Sequence, residues 1–168
     1  MTDAAELIEK LPRNARVLGI DLGTKTIGLA LSDVERRIAT PLETLKRGKF
    51  TADARKIVAH LQRFEIGAVV VGLPLNMDGS EGPRAQATRA FARNLAPLAG
   101  CPILFWDERL STAAVIRTLI ASDASRSRRA DLVDKMAAAY ILQGFLDFTG
   151  RPSEQQRTGK VDRSHNSE

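Results

Sequence analysis

The period of the apolar positions changes along the chain. Arg16 to Leu22 (RVLGIDL) is nearly continuous apolar sequence, which predicts a central strand covered on both faces. Thr26 to Ser32 alternates instead, with Ile27, Leu29 and Leu31 on one side and Thr26, Gly28, Ala30 and Ser32 on the other. The short link between them, with Gly23 available for a positive φ, predicts a β-hairpin. A third run, about Ile38 to Leu45, is broken by Pro41 and belongs at a sheet edge or a bulge.

From Thr51 the repeat becomes helical: Ala54, Ile57, Val58, Leu61 and Phe64 recur on one face, with Arg55, Lys56, Gln62 and Arg63 left for solvent. Ala68 to Val71 reads as a buried strand. The glycine-rich loop GLPLNMDGSEGP follows, and its Pro83 fits the first turn of a helix running to about Leu98, with Ala87, Phe91, Leu95 and Leu98 inward. Ile103 to Trp106 is a further short strand, ending in Asp107-Glu108-Arg109. Ser111 or Thr112 can cap a helix to about Ala121, SDASRSRR reads as a loop, and Asp131 to Phe148 is the last helix.

This order predicts an α/β fold: a mixed five-stranded sheet, three antiparallel strands then two parallel, flanked by helices. Residues 1–15 are expected to be an N-terminal extension, 16–148 the folded domain, and 149–168, which lack an apolar period, a disordered tail. In open α/β sheets the chemistry gathers where parallel strands end at their carboxyl side. Asp21, the loop from Gly72 to Gly82, and Asp107-Glu108 therefore converge on one sheet end.

Composition narrows the chemistry. At 168 residues with 43% hydrophobic content, one domain with a sizeable core is expected. Lys and Arg number 25 against 20 Asp and Glu, so the surface modestly favours polyanions. The start MTDAAELIEKLP has acids where a signal peptide has a basic end, and no run of eighteen apolar residues exists. A cytoplasmic protein with no membrane partner is expected. One cysteine, Cys101, and two histidines leave no zinc cluster. A metal, if used, must be held by carboxylates.

Three acids stand out. Asp21 can be a turn residue bonding its own backbone, yet it shares a strand face with Val17 and Gly19 beside Gly28 and Ala30, a small-residue surface with room for a ligand. An ionised carboxylate there is costly unless compensated. Strand geometry turns Asp107 and Glu108 to opposite sides, so one of them faces the site. Asp134 is in register with Ala138, Ile141, Phe145 and Phe148, whereas Asp131 at the helix start reads as a cap or dipole partner. Three acids without histidine make a hard oxygen site suited to Mg²⁺ or Mn²⁺, in a two-ion arrangement that hydrolyses phosphodiesters.

The stretches VLGIDLGTKTIGLALSD, VVVGLPLNMDGSEGPRA, WDERLST and DLVDKMAAAYILQ resemble, in order and spacing, the motifs of the YqgF family, from about Arg16 to Asp147. The family is described as Holliday-junction-resolvase-like proteins and as pre-16S ribosomal RNA nucleases. The resemblance implies an RNase H-like fold and an endonuclease whose metal-binding catalytic acids are Asp21, Glu108 and Asp134. It also implies a role in maturing the 5′ end of 16S ribosomal RNA. One departure shows: the family commonly has a basic pair after Gly-Thr, and here Lys25 is followed by Thr26.

Candidate substrate contacts are Lys25, Arg84, Arg109, Arg126, Arg128 and Arg129, with Arg84 beside a helix N-terminus suited to phosphate. Arg126, Arg128 and Arg129 are expected in a mobile basic loop near Asp134. Trp106, Phe105 and the phenylalanines of the last helix read as core, and aromatics make up only 5% of the chain, which disfavours base stacking as the main mode of recognition. RNA is the expected partner over DNA, with a monomer or weak homodimer. The alternatives are a resolvase of branched DNA and a non-catalytic nucleic-acid binder. The IDLGTK motif also resembles the first phosphate loop of actin-like ATPases and sugar kinases, which need a second large domain that 168 residues do not accommodate.

Overall fold

The structure, a computed structural model, describes residues 3–111 and 126–150, the side chains of 126–133 excepted. Strands β1 (Arg16–Leu22), β2 (Thr26–Ser32) and β3 (Ala39–Lys46) pair antiparallel in sequence. Strand β4 (Ile66–Leu73) runs parallel to β1, and β5 (Ile103–Asp107) parallel to β4, giving the order β3-β2-β1-β4-β5. The predicted mixed sheet is what forms. Pro41 lies on the edge strand, where its missing N–H breaks no ladder, and the pairing slips beside it: Leu29 faces Glu43 while Ala30 faces Pro41.

Alternation along β1 decides which residues meet which layer. Leu18, Ile20 and Leu22 pack with Ile57 and Leu61 of α2 (Phe50–Arg63) and with Phe91 and Leu95 of α3 (Pro83–Ala99). Val17 packs on the opposite face with Ala138, Ile141, Leu142 and Phe145 of the last helix, which spans Arg126–Thr149 and is labelled α4. A short helix, α1 (Ala4–Glu9), which the residue pattern did not predict, is capped by Asp3 and buries Ile8 in this second cluster. No helix among the described residues is long and apolar enough to cross a membrane.

Several local expectations change. Residues 126–130 are helical, so Arg126, Arg128 and Arg129 lie in the first turns of α4, not in a loop, and Asp131 is inside the helix rather than at its start. Arginine is a good helix former, and no Gly or Pro in SRSRR stops the helix from extending. The side chains of those three arginines, the predicted helix from Ser111 or Thr112 to Ala121, and the predicted tail from 151 onward lie outside the described residues. On α3 the inward face is Ala85, Thr88, Phe91, Ala92 and Leu95, whereas Ala87 and Leu98 are exposed. Thr88 can be buried because its hydroxyl donates to the carbonyl of Arg84, 2.9 Å away. Gly23 does not have a positive φ, which among the glycines belongs to Gly79 and Gly100. Its role is proximity, since a Cβ there would sit 2.9 Å from the Thr26 carbonyl. Phe145 is core as expected, but Phe148 is half-exposed and packs its ring near that of Trp106.

Candidate active site

Asp21 is the penultimate residue of β1, on the face covered by α4, and is only 1% exposed. Its cross-strand partner on β2 is Gly28. On the other side, Ile20 is in register with Val71 of β4, so Gly72 follows beside Asp21. The two glycines mark where the other acids arrive. A Cβ on Gly72 would come within 2.8 Å of Glu108 Oε1, and one on Gly28 within 2.0 Å of the Asp134 carbonyl oxygen. The Asp134 carboxylate reaches the hairpin turn, 3.8 Å from where a Gly23 Cβ would stand.

Three carboxylates far apart in sequence are therefore gathered around the end of β1, with Glu108 only 7% exposed and Asp134 partly buried. Among the described residues, however, no three His, Cys, Asp or Glu side chains stand at distances that would already hold a metal ion. The donor chemistry is still that of a hard cation: carboxylate oxygens only, brought in over glycines whose missing Cβ atoms let Asp134 and Glu108 approach.

The tertiary structure separates the neighbouring acids 107 and 108. Asp107 ends β5, accepts the Arg109 amide at 3.0 Å as cap of the 3-10 turn Glu108–Leu110, and is gripped by the Arg109 guanidinium at 2.7 Å. Glu108 turns inward over Gly72. Arg109 also donates to the Met77 carbonyl, 3.3 Å away, and so pins the glycine-rich loop. That loop closes on itself: the Asn76 amide donates to the Ser80 carbonyl at 2.9 Å, and Asp78 accepts from the Ser80 amide at 2.9 Å. Met77 stands at its tip, 95% exposed.

The hydrogen bonds from Arg109 hold the Asp107 carboxyl below the ordinary aspartate value of 3.8, and those from Ser80 do the same for Asp78. A depressed folded pKa contributes stability that is present above the unfolded value and lost as pH falls through the folded one. Carboxyl carbon NMR titration is therefore expected to place both midpoints below 3.8, and Arg109→Ala is expected to return Asp107 to it. An unchanged Asp107 midpoint in that variant would show that the Arg109 guanidinium does not bond the Asp107 carboxylate.

The basic candidates divide. Lys25 is exposed in the β1–β2 turn, and Arg84 is exposed at the second residue of α3, beyond the uncapped Gly82. Arg89, by contrast, is paired with Glu81 and lies 4.8 Å from the Phe105 ring centroid. Trp106 is core, edge-on to Phe145. Burial pushes the Cys101 thiol up, which makes it a poor nucleophile.

Asp53 escaped the sequence reading. It is buried in the first turn of α2, and both carboxylate oxygens accept from the Gly48 amide, at 3.2 and 3.1 Å. The signal was present, because Asp53 precedes Ile57 by one turn on the inward stripe, the same anomaly that singled out Asp134.

A sequence family model described as "RuvX: Holliday junction resolvase" matches residues 15–148. Curated proteins of Methylocella silvestris and Beijerinckia indica, each named "Putative pre-16S rRNA nuclease", are 63% identical over 145 residues and 65% identical over 142. These alignments cover 86% and 84% of this chain, and 90% and 86% of the relatives. Among solved structures, T. thermophilus RuvC in complex with Holliday junction substrate has a similar fold, with TM-score 0.52 at 19% identity over 83% of this chain and 98% of that one.

Proposed function

Because this chain belongs to the RuvX family of Holliday junction resolvases, the family to which its motifs point under the name YqgF, we propose that it is a divalent-metal-dependent endonuclease. Its substrate is structured RNA, and its task the maturation of the 5′ end of pre-16S ribosomal RNA. The substrate follows the names of the curated relatives. The chemistry rests on one observation: a buried aspartate at the end of the central strand, flanked by Gly28 and Gly72, with Asp134 over the first glycine and Glu108 over the second.

Asp21, Glu108 and Asp134 would hold Mg²⁺ or Mn²⁺, as one ion or a pair. A bound divalent cation supplies a lowered pKa for the attacking water and charge neutralisation at the phosphodiester. The protein supplies the rest. Asp21 and Glu108, fixed on the sheet and on the 3-10 turn, put two buried carboxylates at the end of β1, where a bound cation would offset their charge. Lys25 and Arg84 neutralise phosphates on either side of the acids. Arg109 contributes through the loop that it pins, and its partly exposed guanidinium can meet the same backbone. Arg126, Arg128 and Arg129, in the first turns of α4, add three positive charges to this reading.

The family description favours a second reading, cleavage of branched DNA. Purified protein is offered precursor ribosomal RNA and a four-way DNA junction, each with Mg²⁺, Mn²⁺ or chelator, alongside the Asp21→Asn, Glu108→Gln, Asp134→Asn triple variant. The expected result is metal-dependent cleavage of the RNA at a discrete position, absent from the triple variant. Cleavage of the junction alone, by a dimer, would assign the protein to DNA. Tight binding of either substrate with no product under any metal would make it a binding protein on a nuclease fold.

A further inference from the structure

On the β3 side of the acids lies a second basic element. Lys46 at the end of β3, and Arg47 and Lys49 in the link from β3 to α2, are exposed at the same sheet end as Asp21. The link is fastened to the hairpin that follows Asp21: the Arg47 amide donates to the Lys25 carbonyl at 2.9 Å, and its guanidinium to the Gly23 carbonyl at 2.8 Å. Gly23 is the residue that borders the Asp134 carboxylate. From below, Asp53, 3% exposed, receives the Gly48 amide. A carboxylate is buried only where hydrogen bonds compensate it, and here the bonds come from the loop amide, so Asp53 fixes the loop in place.

The charges themselves are left open. Among the described residues no carboxylate pairs with Lys25, Lys46, Arg47 or Lys49, whereas Lys10, Arg37, Arg89 and Arg109 each have one. We infer that the Lys46–Lys49 link and Lys25 form a preorganised clamp for backbone phosphates of the bound nucleic acid, with Asp53 as its positioning residue. This rests on the nuclease reading above. The Lys46–Lys49 side of the clamp lies two strands from β1, about 10 Å. It meets phosphates to one side of the cut, opposite Arg84 and Arg109 across the acids. Contact is with phosphate, so it is independent of sequence.

The test measures binding without cleavage. In an Asp21→Asn background, anisotropy of a labelled RNA hairpin taken from the 16S precursor is titrated across salt. Lys46→Ala with Lys49→Ala is expected to weaken binding about tenfold and to lower the log–log salt slope by about 1.4 to 1.8, two phosphate contacts' worth, with an unchanged melting temperature. Asp53→Ala reproduces part of the loss and Asp53→Asn, which keeps an acceptor for Gly48, restores it. Lys10→Ala, at a paired lysine, leaves the slope unaltered. If the background protein binds and the double variant keeps its slope, the clamp is refuted while the nuclease reading stands. If the background protein does not bind at any salt, both fall together.

Discussion

Asp21→Asn is expected to lower metal-dependent cleavage by on the order of 10³-fold, about 4 kcal/mol in the barrier, while leaving the fold intact or slightly more stable. The two effects have one cause. Asp21 is 1% exposed between Gly28 and a strand that carries Gly72, so ionising it there costs desolvation that a bound cation would offset. Asparagine has the same shape and no charge, which removes that penalty together with the ability to hold a cation. Thermal melts separate this explanation from a folding defect. The wild type should gain stability as Mg²⁺ rises, by RT ln(1 + [Mg²⁺]/Kd), and the variant should not. A variant that cleaves at the wild-type rate, or that melts much lower without metal, would remove Asp21 from the chemistry.

The second large effect is expected at a residue with no side chain. Gly28→Ala places a Cβ 2.0 Å from the carbonyl oxygen of Asp134, 2.4 Å from its carbonyl carbon and 3.0 Å from the amide of Lys135. All three are backbone atoms of α4, so no rotamer change relieves the contact; the helix must retreat by more than about 1 Å to reach ordinary carbon–oxygen separation. Overpacking of this kind costs about 3 kcal/mol, which for a chain of this size lowers the melting temperature by about 6 to 12 °C. Because the clash is at Asp134 itself, cleavage should fall about 100-fold in protein that remains folded. Gly100→Ala is the control: nothing lies within 4 Å, and only its φ of 66° opposes the change. It should cost about 1 kcal/mol and leave cleavage unaltered. A Gly28→Ala protein that melts within 2 °C of wild type would show that α4 does not approach as closely as described.

The strands and the two long helices of the first hundred residues were legible because their periods are local properties. Apolar runs of 16–22 and 26–32 can satisfy burial and backbone hydrogen bonding in only one way, and the strands form at those residues. The α4 start was not legible, because SRSRR has no apolar period and its helical state is set by continuation of an adjacent helix. The α3 face was misread at Ala87 and Leu98 because a threonine that bonds its own helix counts as polar in sequence and as core in space.

Residue chemistry alone thus determined that this chain makes a mixed α/β sheet, that acids stand at its strand ends, and that the candidate metal ligands are carboxylates. Which acid of the pair 107 and 108 turns inward was decided by tertiary structure, through Arg109 capturing one and the cleft beside Gly72 receiving the other. So was the reason for Gly28, whose missing Cβ admits a helix from more than a hundred residues away. Local pattern records what a residue prefers; only the packed chain records what its neighbours leave room for.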